Sequence, residues 1–359
     1  MRSFLPLVFA LSLLACQKAP PAPRVPSAQE VSAEQVIASY APSRLRVFPT
    51  SSGDYVLWGS ERPGLPAVFR PLGKTDKRGP AGIMSRAGEL SFVGERMIEA
   101  PLPTSPAKTS ASLPLLVYDR DAKTAQVQTV TLPGPCTMRD RALIASDGQE
   151  LFVLARCAIE DQAMVLRLDA ALLVRAARTI DGAGAVELLL HHGDSDYLLQ
   201  ARQVLRVPPQ GLPVIGTVPP PGGDAETRDL VMAGDLLLVV DGAAGRVIGM
   251  DRLSMGWKLE KRFYIDGAVQ RLRACASPNR LQIVLAERTD AGRTELIGLG
   301  LSLQMGRRDS GMPQRLLLGG GPSTSDHELL PIASGDEAML LRTHDGNTGP
   351  QVALSYLHM

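Results

Sequence analysis

Ala233-Gly234-Asp235-Leu236-Leu237-Leu238-Val239-Val240-Asp241-Gly242-Ala243-Ala244-Gly245-Arg246-Val247-Ile248-Gly249-Met250-Asp251 is the stretch whose reading decides the fold. A tight Gly-Asp turn launches a short apolar strand. A second turn, Asp241 to Gly245, starts another. Gly and Asp supply the turn geometry, and the apolar run supplies the strand. The same hairpin recurs along the chain. Its turns are Ser52-Gly53-Asp54, Val93-Gly94-Glu95, Asp147-Gly148-Gln149, His192-Gly193-Asp194, Ala233-Gly234-Asp235, Ser277-Pro278-Asn279 and Ser334-Gly335-Asp336. Each comes after one strand candidate and precedes another.

Seven copies spread from Gly53 to Gly335 give a mean spacing of 47 residues, enough for four short strands per copy. Four antiparallel strands per repeat of this length mark a propeller blade. A blade cannot bury both apolar faces alone, so blades pack into a ring. The expectation is therefore an all-β chain, a seven-bladed β-propeller of four-stranded antiparallel blades over residues 30–359. A β-sandwich would also give frequent turns, but not one turn type at blade-length intervals. Leu168–Ile180 is the one central stretch that also reads as helix; here it is assigned to outer strands. After Gly335 the chain has room for two strands, three with Glu328–Ala333. The fourth must come from the N-terminal side, where Glu30–Ala38 is the candidate. Two capping-box patterns give that segment a competing helical reading.

The N-terminus reads as a targeting segment. Arg2 is the only charge in residues 1–15, and the apolar run Phe4–Leu14 is too short to span a bilayer but fits a signal-peptide core. It ends in Leu13-Leu14-Ala15-Cys16, which resembles the lipobox of bacterial lipoproteins. The resemblance implies cleavage after residue 15, acylation of Cys16 and, with Gln17 next, location in the outer membrane facing the periplasm or the surface. An ordinary secretory signal is the competing reading. Residues 16–29 then form the acylated cysteine and a Pro-rich linker, Lys18–Pro26, that favours polyproline II.

Without residues 1–15 the chain holds 37 basic and 37 acidic residues. A neutral chain with no basic block gives no reason to expect nucleic acid as a partner. Of the other cysteines, Cys136 and Cys157 flank one predicted hairpin and are read as a disulfide pair. Three buried thiols, including Cys275, are the alternative.

Asp119–Pro133 resembles the D-x-x-T-x-x-V turn of YVTN-type propeller repeats. Gly245–Trp257 resembles a quinoprotein-type (PQQ) repeat. Each resemblance covers one repeat and implies the propeller superfold, which hosts many functions.

No catalytic constellation stands out. His191-His192-Gly193-Asp194-Ser195-Asp196 tempts a metal reading, but neighbouring side chains on a strand point to opposite faces. Neither a metal site nor a cofactor is assigned. Propeller function is expected on the loops between second and third strands and between repeats. Candidate residues there are Glu61, Arg62, Arg139, Asp140, Arg141, Asp241, Glu287, Arg288, His344 and Asp345. The expected function is a membrane-anchored, non-enzymatic binding or scaffold module for an envelope protein or complex. The alternative is a hydrolase or lactonase working in the central channel with carboxylates from Glu89, Glu187, Asp229 and Glu328.

Overall fold

In a computed structural model, the described residues are 29–30, 35–38, 46–49, 55–59, 68–71, 85–86 and 90–358, the last span with gaps at 102–110, 120–125, 135, 139–141, 159–160, 289–291, 305–313, 318–322 and 332–336. They form an all-β propeller.

Six blades have four antiparallel strands counted outward from the centre. Blade 1 is Leu90–Val93, Arg96–Glu99, Ser112–Asp119 and Gln126–Thr131. Blade 2 is Leu143–Ser146, Leu151–Arg156, Gln162–Leu168 and Val174–Asp181. Blade 3 is Leu188–His192, Ser195–Leu199, Gln203–Val207 and Val214–Thr217. Blade 4 is Arg228–Ala233, Leu236–Asp241, Arg246–Asp251 and Trp257–Arg262. Blade 5 is Ala268–Ser277, Arg280–Arg288, Thr294–Ser302 and Gln314–Leu317. Blade 6 takes Ser323–Pro331, Glu337–Gly346 and Gly349–His358 from the C-terminus. Its outermost strand is the N-terminal Gln35–Ala38, antiparallel to Val352–Leu354.

The expected count of seven four-stranded blades is corrected to six. The first hairpin copy lies in a three-stranded sheet, Arg46–Pro49, Tyr55–Gly59 and Val68–Pro71, whose inner strand neighbours those of blades 6 and 1. No fourth strand joins it among the described residues. The next strand, Ser85–Arg86, pairs elsewhere: it runs antiparallel to Leu190–His191 on the inner edge of blade 3. A piece of the chain's own backbone therefore lies in the central channel.

Alternating strand side chains face the two neighbouring blades, and the core sits between blades. Val153 and Leu166 of blade 2 pack with Leu113 and Leu115 of blade 1. Phe152 and Leu154, one residue out of phase, pack with Leu189 and Leu198 of blade 3. Leu238 and Val240 of blade 4 join Ile283 and Leu285 of blade 5. Burial on both faces explains why these strands read as continuous apolar runs. Gly94, Gly193 and Gly234 open the first hairpin turn of blades 1, 3 and 4 with φ near +60° (58°, 59° and 62°), the left-handed region that glycine enters without cost.

The ring has two faces. The hairpin face carries the turns between first and second and between third and fourth strands. The mouth face carries the turns between second and third strands and the connections between blades.

Candidate functional site

On the mouth face, the ends of the innermost strands are charged. The Arg228 side chain is 1% exposed, and its Nη1 lies 2.6 Å from Glu187 Oε2, across the junction of blades 3 and 4. Its Nη2 donates to Gln200 O at 3.2 Å. Asp229 Oδ2 accepts from the Ala274 amide at 2.8 Å, joining blades 4 and 5. Arg273 Nε meets Glu328 Oε1 at 3.3 Å, and Arg271 Nη2 meets it at 3.4 Å, joining blades 5 and 6. Arg271 also pairs with Asp326, and Glu226 Oε2 lies 3.7 Å from both guanidiniums. Beneath them His327 is fully buried, with Nε2 3.2 Å from Val284 O. Burial, with the Arg271 and Arg273 charges added, pushes its pKa down to about 3. Nearby carboxylates hold Arg273 above the usual guanidinium value despite burial. The carboxylates of Glu187, Asp229 and Glu328 are thus interleaved with arginines rather than gathered at one point. Among the described residues no group of three or more His, Cys, Asp and Glu could hold a metal ion.

The proposed loop residues part company here. Asp241 is buried: Oδ1 accepts from the Ala244 amide at 2.9 Å, and Oδ2 accepts from the Gly222 amide at 3.0 Å and pairs with Arg246 at 3.2 Å. Its carboxylate builds the turn. Glu287 is buried and accepts from the Gly267 amide, and His344 is also buried. Arg288 and Asp345 are both exposed on the mouth face. Cys16, Glu61, Arg62, Arg139, Asp140, Arg141 and Glu89 lie outside the described residues. Cys136 and Cys157 are joined by a disulfide between the connection into blade 2 and the end of its second strand. Cys275 is buried, its thiol directed at Gln282 Oε1.

The His191–Asp196 cluster is part of the blade 2–blade 3 junction. His191 Nδ1 lies 2.8 Å from Asp196 Oδ1, and its ring stacks on Phe152 at 3.5 Å between centroids. Arg167 stands over the same Phe152 and 3.6 Å from Asp196 Oδ2. His192 pairs with Ser195 at the strand end and is half-buried; burial, then the Arg252 charge, lowers its pKa. The two rings diverge, as strand alternation requires.

A second feature lies on the hairpin face and is absent from the sequence candidates. The turns between third and fourth strands of blades 2, 3 and 4 expose Leu173 (58%), Leu212 (86%) and Leu253 (51%). Val174, Ile215 and Trp257, at the start of the outer strands next in the chain, are exposed too. These turns are held, each by a side chain of the preceding blade. Gln128 donates to Ala171 O (2.9 Å), Arg178 donates to Pro208 O (3.0 Å) and Gly211 O, and Arg206 donates to Leu253 O (3.3 Å). Trp257 Nε1 donates to Thr217 O at 2.6 Å, fixing its indole. Inside the turns, Asp169 accepts from the Ala171 and Leu173 amides, and Asp251 from the Leu253 and Ser254 amides. Leu172 and Met255 take positive φ (60° and 57°) and are buried. A left-handed non-glycine costs about 1–2 kcal/mol, and the inward burial of these side chains offsets it. The available sequence signal was an Asp trailed within four residues by apolar residues ahead of an outer strand, in Asp169–Val174 and Asp251–Trp257.

The class these features define is the β-propeller. No protein-family model matches the chain, and no curated protein matches it. Among solved structures it is similar to Kluyveromyces lactis Hsv2, with 10% identity, 84% of this chain and 91% of that chain covered, and a TM-score of 0.43. It is also similar to the AfRom2 CNH domain, with 12% identity, 90% and 98% covered, and a TM-score of 0.44. A third is Pyrococcus horikoshii acylaminoacyl peptidase, with 11% identity, 88% and 51% covered, and a TM-score of 0.40. At such identities and scores these likenesses assign no function.

Proposed function

We propose that the chain is a lipid-anchored cell-envelope propeller that acts as a binding or scaffold module rather than a channel enzyme. The observation that carries this reading is the pairing at the mouth of the channel. A metal-assisted hydrolase needs carboxylates free to converge on one ion or water. Here Glu187 and Glu328 each hold an arginine of a neighbouring blade at 2.6 and 3.3 Å, and Asp229 holds the next blade's amide. Removing any of them from that duty would loosen a blade junction. The strand Ser85–Arg86 along the inner edge of blade 3 narrows the channel further.

The loops of the mouth face, with Arg288 and Asp345 on them, offer the polar surface for an envelope protein. The anchor is the lipobox-like Leu13–Cys16. The test is affinity isolation of the solubilised protein from envelope membranes, with Arg288→Glu and Asp345→Arg in parallel. A stoichiometric partner lost in the charge-reversed protein supports the module. A bound divalent metal by elemental analysis, with hydrolysis of ester or lactone substrates and no partner, would favour the channel enzyme.

A further inference from the structure

Three consecutive blades present a leucine at the same turn, and each turn is pinned to the blade before it. An apolar side chain held rigidly in water has a cost that a partner must repay, and isolated exposed leucines are ordinary. Three at one structural position, each with Val174, Ile215 or Trp257 exposed on the outer strand that follows, recur along one face of the ring. Charges beside it are engaged: Arg175 with Asp169 at 2.5 Å, Arg252 with Asp235 at 2.8 Å, Arg178 and Arg206 on backbone carbonyls, and Lys258 close enough to Asp251 to lower its pKa. The surface is therefore apolar with neutralised charge. It offers single side chains from separate turns and an indole whose N–H is already satisfied. That composition suits the headgroup–acyl boundary of a bilayer, where Trp and Leu partition.

The course of the chain supplies the occupant. Gln29–Glu30 adds to the outer edge of blade 5 in parallel with Gln314–Leu317. That outer strand runs from the hairpin face toward the mouth face, so Gln29–Glu30 runs away from the hairpin face as well. The chain therefore comes to Gln29 from the side that carries the leucines. Twelve residues separate Cys16 from Gln29, and at about 3.1 Å per residue in polyproline II they reach about 37 Å. We infer that the hairpin face of blades 2–4 lies against the bilayer that holds the Cys16 acyl chains, with Leu173, Leu212 and Leu253 inserted at its surface. This rests on the lipid-anchor reading above. The acyl chains provide retention; the leucine turns fix orientation, leaving the mouth face toward its partner.

The test reads orientation rather than retention. The acylated protein carrying Trp58→Phe, so that Trp257 is its only indole, is reconstituted in phosphatidylcholine vesicles with or without brominated acyl chains. Trp257 emission is expected to fall about twofold or more with brominated lipid, because the indole sits at the interface. The fall should be unchanged between 0.1 and 0.5 M salt. Leu173→Ser, Leu212→Ser and Leu253→Ser together should abolish it while the protein stays on the vesicles. Should Trp58→Phe fail to fold, a polarity-sensitive fluorophore on Leu212→Cys in the otherwise native chain gives the same reading. Vesicle-bound, acylated protein with unquenched Trp257 would overturn the inference. So would quenching that survives the triple substitution, or a dimer in detergent that the triple substitution dissolves, since the patch would then cover a second copy. The mass of the N-terminal peptide decides the anchor separately. If Cys16 carries no lipid, the anchor reading fails. The face is then decided by unacylated protein with excess vesicles: quenching upholds it, and no quenching overturns it.

Discussion

Consider Glu187→Gln and Arg228→Met at the junction of blades 3 and 4. The two residues share one hydrogen-bonded ion pair of 2.6 Å but differ in burial: the Arg228 side chain is 1% exposed and that of Glu187 is 30% exposed. Glu187→Gln leaves a guanidinium that cannot deprotonate, shut away from water, with only a neutral amide and Gln200 O for partners. Removing one partner of a buried pair costs about 3–5 kcal/mol, and the lower part of that range applies here, because Glu187 is 30% exposed and the replacement amide oxygen still accepts from Arg228. Arg228→Met keeps volume and leaves Glu187 with access to water. What it loses is the bond to Gln200 O and a half-screened pair, about 1–2 kcal/mol. The double variant removes both charges and should be less destabilised than Glu187→Gln alone. Guanidinium denaturation of the mature chain gives all three values. If Glu187→Gln costs under about 1 kcal/mol, or Arg228→Met costs more than Glu187→Gln, the pair is not a blade clamp. Glu187 would then be free for chemistry.

The disulfide and the buried histidine give two more measurable outcomes. The Cys136–Cys157 bridge closes a loop of sequence separation 21. Chain-entropy reasoning puts its contribution at about 3 kcal/mol, so the Cys136→Ser, Cys157→Ser double variant should lower unfolding stability by about that amount under oxidising conditions. Equal stability of the two proteins would contradict the pairing. His327, with a folded pKa of about 3 against a usual 6.5, should make the protein acid-sensitive. Its carbonyl partner Val284 O requires a ring with the proton on Nε2, and burial keeps that ring neutral. Because the folded pKa is depressed, the stabilisation is complete above pH 6.5 and is lost as pH falls toward 3. Between pH 7.5 and pH 5 the unfolded histidine takes up a proton and the folded one does not, a loss of about 2 kcal/mol. His327→Gln should lose correspondingly less over that interval in parallel denaturation curves; identical pH slopes would refute the assignment.

The hairpins were legible because turn chemistry is local. Gly94, Gly193 and Gly234 need a positive φ wherever the chain reverses in two residues, and the flanking apolar runs need burial on both faces. Ring closure was legible in outline, since a shortage of strands after Gly335 pointed to the N-terminal side, where Gln35–Ala38 is found. The blade count was not. A hairpin gains its fourth strand only if the next segment of chain pairs beside it, and Ser85–Arg86 was drawn to the inner edge of blade 3 by a long-range pairing that no local pattern marks. Much of the candidate site was hidden for a related reason. Asp241 and Glu287 look like surface acids in sequence, yet their carboxylates are taken up by the amides of Ala244, Gly222 and Gly267. Leu173, Leu212 and Leu253 look like core leucines, and only the strand boundaries show that they fall on turns. The clamps Arg228–Glu187 and Arg273–Glu328 join residues about 40 to 55 positions apart, beyond the reach of any spacing rule.

A propeller that works tethered to a membrane as a binding module must carry its lipid on Cys16. Metabolic labelling with an alkyne fatty acid, with fractionation of cells expressing the native chain and Cys16→Ser, tests this most directly. The expected result is label on the native protein in the membrane fraction, and an unlabelled Cys16→Ser protein released to the soluble fraction. An unlabelled native protein, or a Cys16→Ser protein that stays with the membrane as fully as the native one, would contradict the tethered module.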